Sequence, residues 1–503
     1  SKGGDMYVDN GHIFGSENVV YGYGDTVTGE LNKVNANDSV TLGRGNSVGI
    51  DSAGNKYKSK DYPDFLIRNA VTVGDTNYVT ADEGMVFGKM SEVNNDTALA
   101  VGYNNKANGK LSTVVGYEND TAKPDMTNAK DKTSQASSVF GFRNYTSGMG
   151  SVAVGSFNNR QGSTMLPSGN YSSAMGYNNN AAGENSSAMG AQNKAYGKNS
   201  SAMGKSNLVN GDYSVAVGTY NNRYDTATGK WKDSESGKNS SAVGVKNAAT
   251  GEYSNAVGSL NTSSKNYSSA IGVNNISDGL YANAFGYSNT AGGKYSFAAG
   301  AANQTSGEFS SGAGAFNVVK GDKGQVFGLQ NYVSGYGAVA FGYQNNQNFD
   351  KEYNSVGFSH TGDLAVALGN SNATAGDHSI GVGFGNRALG WRSLAVGNGN
   401  VTTGYESIAI GQAAFSGSKD ETKINEVKRS VALGSLAAST LSDAVAVGSF
   451  STTARDKGEY GYNPALGRAV TEAEVTNDAN IGTYRTELEN AKTVWQTAYD
   501  ASQ

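Results

Sequence analysis

Residues 241–296 read, in blocks of fourteen, SAVGVKNAATGEYS, NAVGSLNTSSKNYS, SAIGVNNISDGLYA and NAFGYSNTAGGKYS. The glycine in fourth place recurs at Gly244, Gly258, Gly272 and Gly286, and the register continues through Gly300, Gly314, Gly328 and Gly342. The residue before it is apolar or small, as at Val243, Ile271, Phe285 and Phe341, and alanine usually precedes that. Three residues after each glycine stands an asparagine, from Asn247 and Asn261 through Asn331 and Asn345. A second glycine often follows at seven, as at Gly251, Gly279, Gly293, Gly307, Gly321 and Gly335. A fixed period dictates architecture, and this one is too short for a helical hairpin repeat. It fits two strands of about five residues joined by tight turns, with glycines supplying backbone freedom at two corners. Coils of this kind stack about 4.8 Å apart into a parallel β-solenoid. Equivalent asparagines then form a ladder of side-chain amides along the stack.

Composition agrees. The chain has 503 residues, 69 glycines, only 4 prolines and no third-residue glycine period, which excludes collagen. A formal net charge of -5 disfavours nucleic acid or anionic lipid as a generic partner. Absence of cysteine removes disulfide and thiol chemistry from the account. No apolar run approaches the roughly 18 residues of a membrane-spanning helix, and Ser1 in place of an initiator Met is read as the start of a trimmed or mature fragment.

Taken in order, residues 1–73 carry worn copies around Gly15, Gly43 and Gly74 and are expected to be capping coils. Residues 74–450 are the regular roll, interrupted by insertions at 119–136, 223–238 and 416–429 and by shorter ones elsewhere. Most irregular coils lack the second glycine, so the insertions are expected to replace one corner and leave from one edge. In 451–503 the composition changes. Tyr484, Leu488, Ala491, Trp495 and Ala498 make a helical stripe, predicting a short helix over 484–500.

Alternation along the strand before each glycine divides its residues into two sets. The expectation is that the bulky set, such as Met189, Val217 and Ile271, fills the coil. The alanine set, Ala188, Ala202, Ala216, Ala242, Ala256 and Ala270, would then form a smooth face for contact between identical subunits. Tyr253, Tyr267, Tyr281, Tyr295 and Phe309 each stand five residues before a repeat glycine, with Tyr171 and Tyr213 in the same register. They should stack in one column, as an edge ladder or as a contact surface, since tyrosine is enriched where binding energy concentrates. Tyr224 and Trp231 in the 223–238 insertion are the other candidate contact residues.

Asn199-Ser200-Ser201-Ala202-Met203-Gly204, Tyr213-Ser214-Val215-Ala216-Val217-Gly218 and Glu406-Ser407-Ile408-Ala409-Ile410-Gly411 resemble the head repeats of YadA-like trimeric autotransporter adhesins. The resemblance covers most of 74–450. It implies an all-β, left-handed parallel β-roll, homotrimeric about its long axis, on the surface of a Gram-negative bacterium. Gly461-Tyr462-Asn463-Pro464, with Gly467 and Trp495, looks like the segment joining such heads to a neck. Anchoring in the outer membrane is implied through a neck, stalk and barrel that this sequence does not contain. The implied partners are a host surface glycoprotein, a matrix protein such as collagen, or a cell-adhesion receptor. A structural spacer or fibre, or a coaggregation module, is the alternative.

Chemistry of other kinds has no visible seat. His12, His360 and His378 are far apart without cysteine partners, so no metal site and no cofactor is expected. Glycine triplets such as Gly383-Phe384-Gly385 do not open a helix after a strand and are not phosphate loops. Carboxylates scatter without a recurrent pair, and a polysaccharide-cleaving solenoid is disfavoured on that ground.

Overall fold

A computed structural model describes residues 6–50, 56, 66–122, 135–161, 163–222, 224–225, 230–231, 236–349, 355–358, 360–453, 462–463, 468–469 and 493. The chain divides into two compact units, Ser1–Tyr343 and Gln344–Gln503. The described coils of each are parallel β-solenoids. The expected helix over 484–500 falls, but for Thr493, outside the described residues.

The coil 255–268 shows the plan. Its long strand, Asn255–Ser259, pairs in parallel with Ser241–Val245 on one side and Ser269–Val273 on the other. Its second strand is shorter than the sequence predicts, only Thr262–Ser263, paired with Ala248–Ala249 and Ile276–Ser277. The corners are made by Leu260 and Tyr267, both left-handed at φ 58. That conformation costs a non-glycine residue about 1–2 kcal/mol. The cost is offset because the Leu260 N–H reaches Val245 O at 2.9 Å and the Tyr267 N–H reaches Glu252 O at 2.8 Å. The ladder therefore continues around both corners.

Gly258 lies within the long strand at φ 118, and a Cβ there would sit 2.0 Å from Gly272 O. Close approach of successive coils, as well as positive φ, thus fixes glycine in fourth place. The second glycine acts differently. At Gly251 a Cβ would meet Lys265 O at 2.0 Å, so steric approach alone selects it.

Inside the coil there is room for four small side chains: Ala256, Asn261, Ser263 and Ser268 are all 0% exposed. Asn261 satisfies its whole amide. Its Nδ2 donates to Asn247 Oδ1, Val257 O and Gly272 O, at 3.0, 2.9 and 2.7 Å. Its Oδ1 accepts both the N–H and the Nδ2 of Asn275, each at 3.0 Å. The ladder starts at Asn18 and Asn32 and runs through the first unit, with Ser91 standing in for asparagine at one rung. In the second unit it links Asn345, Asn372, Asn386 and Asn400.

This interior corrects the expected assignment of faces. Ala188, Ala202, Ala216, Ala242, Ala256 and Ala270 are fully buried in the core of their own coils, so they cannot line a subunit interface. The bulky row points out: Val243 is 36% exposed, Ile271 38% and Phe341 58%. Cross-section decides this. At Gly312 even a Cβ would come within 2.9 Å of Thr305 Cγ2 and 3.3 Å of Val319 Cγ2, and an interior packed to that density excludes a phenyl ring.

The described residues among the first seventy are also more regular than their sequence indicates. Gly15, Gly29, Gly43 and Gly74 stack in register, over a core widened to Val20, Val27 and Val34. In the second unit the long strands from Val366–Asn370 to Val445–Val447 repeat the plan, and Tyr462–Asn463 pairs antiparallel with Arg468–Ala469.

Candidate functional site

The corner five residues before each glycine carries the aromatic column. Tyr253, Tyr267, Tyr281, Tyr295 and Phe309 stack with ring centroids 5.0, 4.7, 4.8 and 4.7 Å apart and planes within 10° of parallel. All five are left-handed, at φ 55 to 58, which throws the ring outward from the corner. Between 38% and 51% of each remains exposed. Stacking consumes the ring faces and leaves edges and hydroxyls to solvent. Desolvation within the stack, and then the neighbouring phenols of Tyr281 and Tyr253, push the Tyr267 hydroxyl above its ordinary pKa. Lys294 Nζ lies 5.3 Å from the Tyr295 ring and 3.5 Å from Glu308 Oε1, which places charges of both signs beside the column. Tyr171 and Tyr213 occupy the same corner as single exposed rings.

Three of the insertions follow a more specific rule than one shared corner, whereas that at 119–136 lies for the most part outside the described residues. Three antiparallel hairpins take the place of the short strand: Arg160–Gln161 with Thr164–Met165, Tyr224–Asp225 with Lys230–Trp231, and Gln347–Phe349 with Ser355–Phe358. Each follows an Asn-Asn pair whose first member is the ladder asparagine. The second member bridges the break in the short-strand ladder with its own amide. Asn159 Nδ2 donates to Tyr145 O at 2.8 Å and its Oδ1 accepts the Ala181 N–H at 3.0 Å. Asn222 does the same between Leu208 O and the Ala249 N–H, both at 2.9 Å. Asn346 Oδ1 accepts the Thr374 N–H at 2.8 Å. Tyr224 and Trp231 stand directly opposite one another in their hairpin.

Beside the first hairpin, a cavity of about 180 Å³ is lined by Asn104, Lys106, Glu118, Asp120, Arg160 and Met165. Burial pushes the Asp120 carboxyl up to about 7 against the opposing pull of Lys106 and Arg160. Asn108 Nδ2 donates to it at 2.8 Å.

The insertion at 416–429 behaves differently again. It folds back over preceding coils, held by a bidentate pair between Arg387 and Glu421 at 2.6 and 2.8 Å. Asn425 Oδ1 also accepts the Trp391 N–H at 2.8 Å. Beneath it Trp391 stacks on Tyr405 at 4.7 Å, with Arg392 3.9 Å from the Trp391 ring.

The sequence reading missed a second column. Tyr103, Tyr117, Phe142, Phe157 and Tyr177 form a run of ring contacts at 5.0 to 6.0 Å. Its signal was available, since four of the five directly follow a repeat glycine. Among the described residues no group of three or more His, Asp or Glu side chains could hold a metal ion.

Comparison with known families gives one consistent result. The model for the YadA head domain repeat (2 copies) matches residues 94–119, 168–193, 195–221, 236–261, 249–275, 388–414 and 428–451. No curated protein matches the chain.

Proposed function

This chain is a YadA-like trimeric autotransporter head domain, and we propose that it attaches the bacterium to host-surface or extracellular-matrix protein through its corners. The family carries an adhesin-type function of a non-enzymatic kind. The observation that carries the finer reading is the exposed column from Tyr253 to Phe309, whose rings are outside the core and unnecessary for coil closure. Asn185, Asn199 and Asn239 occupy the same corner conformation without any ring. Tyr224 and Trp231 in the neighbouring hairpin supply the second candidate contact.

Assembly belongs to the same proposal. The outward apolar row before each glycine, which includes Met175, Val243, Ile271 and Phe327, is over a third exposed at these positions along the first unit. A continuous apolar stripe of that length is the mark of an interaction surface. We assign it to the contact between three copies of a left-handed roll, in place of the buried alanines.

The test is binding of the trimeric head to a panel of matrix proteins and receptor ectodomains, collagen among them, and to cultured cells. Tyr267→Asn with Tyr281→Asn keeps a residue suited to the corner while removing two rings. Retained assembly with adhesion reduced at least tenfold supports the reading. No binding by the native head to any host surface overturns it in favour of a spacer or a coaggregation module.

A further inference from the structure

We infer that the tyrosine column is a site of oxidative cross-linking, where neighbouring coils are joined through carbon–carbon bonds between Tyr253, Tyr267, Tyr281 and Tyr295. Three observations carry this. Successive phenols are held face to face at 4.7 to 5.0 Å with planes within 9° of parallel. Each is at least 38% exposed, so a small oxidant reaches it. The chain contains no cysteine, and so no thiol that would quench a phenoxyl radical or provide a disulfide in its place.

The step balances with a peroxide as oxidant and a one-electron catalyst of the peroxidase class. Each of two tyrosines gives up one electron and its phenolic proton. The radicals couple at ring carbons ortho to oxygen, forming one C–C bond. Each ortho proton then moves to the carbonyl oxygen of its dienone ring as that ring regains aromaticity. Peroxide takes up two electrons and two protons and leaves as two waters. The product ties residues fourteen apart in sequence and adjacent in the stack. It would stitch the corner along the axis on which a surface-anchored head is pulled. Phe309 ends the series, because it stacks on Tyr295 at 4.7 Å but has no phenol to oxidise.

The experiment treats the folded chain with hydrogen peroxide and a peroxidase, follows dityrosine fluorescence, and maps the linked peptides by mass spectrometry. The expected result is intrachain links pairing Tyr253 with Tyr267, Tyr267 with Tyr281 and Tyr281 with Tyr295. Prior unfolding in urea should scatter them. The variant with all four tyrosines changed to Phe keeps the rings, and circular dichroism checks its fold; its fluorescence should fall several-fold. Links distributed by exposure alone, with Tyr287 at 61% exposure reacting as readily, would overturn the inference. So would links chiefly between chains, or a four-Phe variant as fluorescent as the native chain.

Discussion

At the residue scale the ladder asparagine is the most constrained side chain in the coil. Asn275 donates to Asn261 Oδ1, Ile271 O and Gly286 O, and accepts from the Asn289 N–H at 2.9 Å. Asn275→Ala leaves these buried groups without partners, each worth about 1–3 kcal/mol. Urea titration should show a drop of at least that size, and Asn275→Ser a smaller one, since Ser91 already serves at one rung. Asp120 makes a prediction of opposite sign. Its folded-state pKa of about 7 lies above the unfolded value near 3.8, so its stabilising protonated form is lost as pH rises through 7. Asp120→Asn keeps the hydrogen bond from Asn108. It should therefore be more stable than the native chain at pH 8, by an amount on the order of a kcal/mol or more, and indistinguishable below pH 4. Equal stability at pH 8 would show that Lys106 and Arg160 already compensate the charge.

At the scale of the coil, hairpins are replaceable parts. Asn222→Leu together with a single valine in place of residues 223–235 copies the short strand Leu208–Val209 and restores a fourteen-residue coil. Melting should then stay within a few degrees of native, because loops off a rigid ladder tolerate change. Loss of adhesion in that variant would place the contact at Tyr224 and Trp231; retention would place it on the column. The clamped insertion gives a separate check. Glu421→Ala removes an exposed ion pair worth at most about 1 kcal/mol, yet it should speed amide exchange across 419–426 measurably. Period, glycines, asparagine ladder and aromatic column were all legible in the sequence, because each repeats at a fixed step. The inside and outside of the long strand were not, because alternation separates two sets without saying which is enclosed. Size variation holds the answer. The outward row ranges from Ala299 to Phe285, whereas the enclosed row stays within Gly312, Ala284 and Val326, as a close-packed interior requires. The hairpins were hidden for another reason: the second asparagine of each pair works through its side chain, which leaves no periodic trace.

At the scale of the molecule, turning the faces over moves the proposed subunit contact from alanine to the bulky row. Ala202→Trp should now unfold its own coil and not merely dissociate subunits. Ile271→Glu with Phe285→Glu should leave the coils intact, since both side chains point away from the core. Sedimentation equilibrium of the native chain and of this double variant is the most direct measurement. The native protein should give about three times the 52.0 kDa chain mass. The variant should be a folded single chain with unchanged β-sheet circular dichroism. A native chain that stays monomeric at micromolar concentration, or a double variant that still assembles into threes, would contradict a subunit contact along the bulky row.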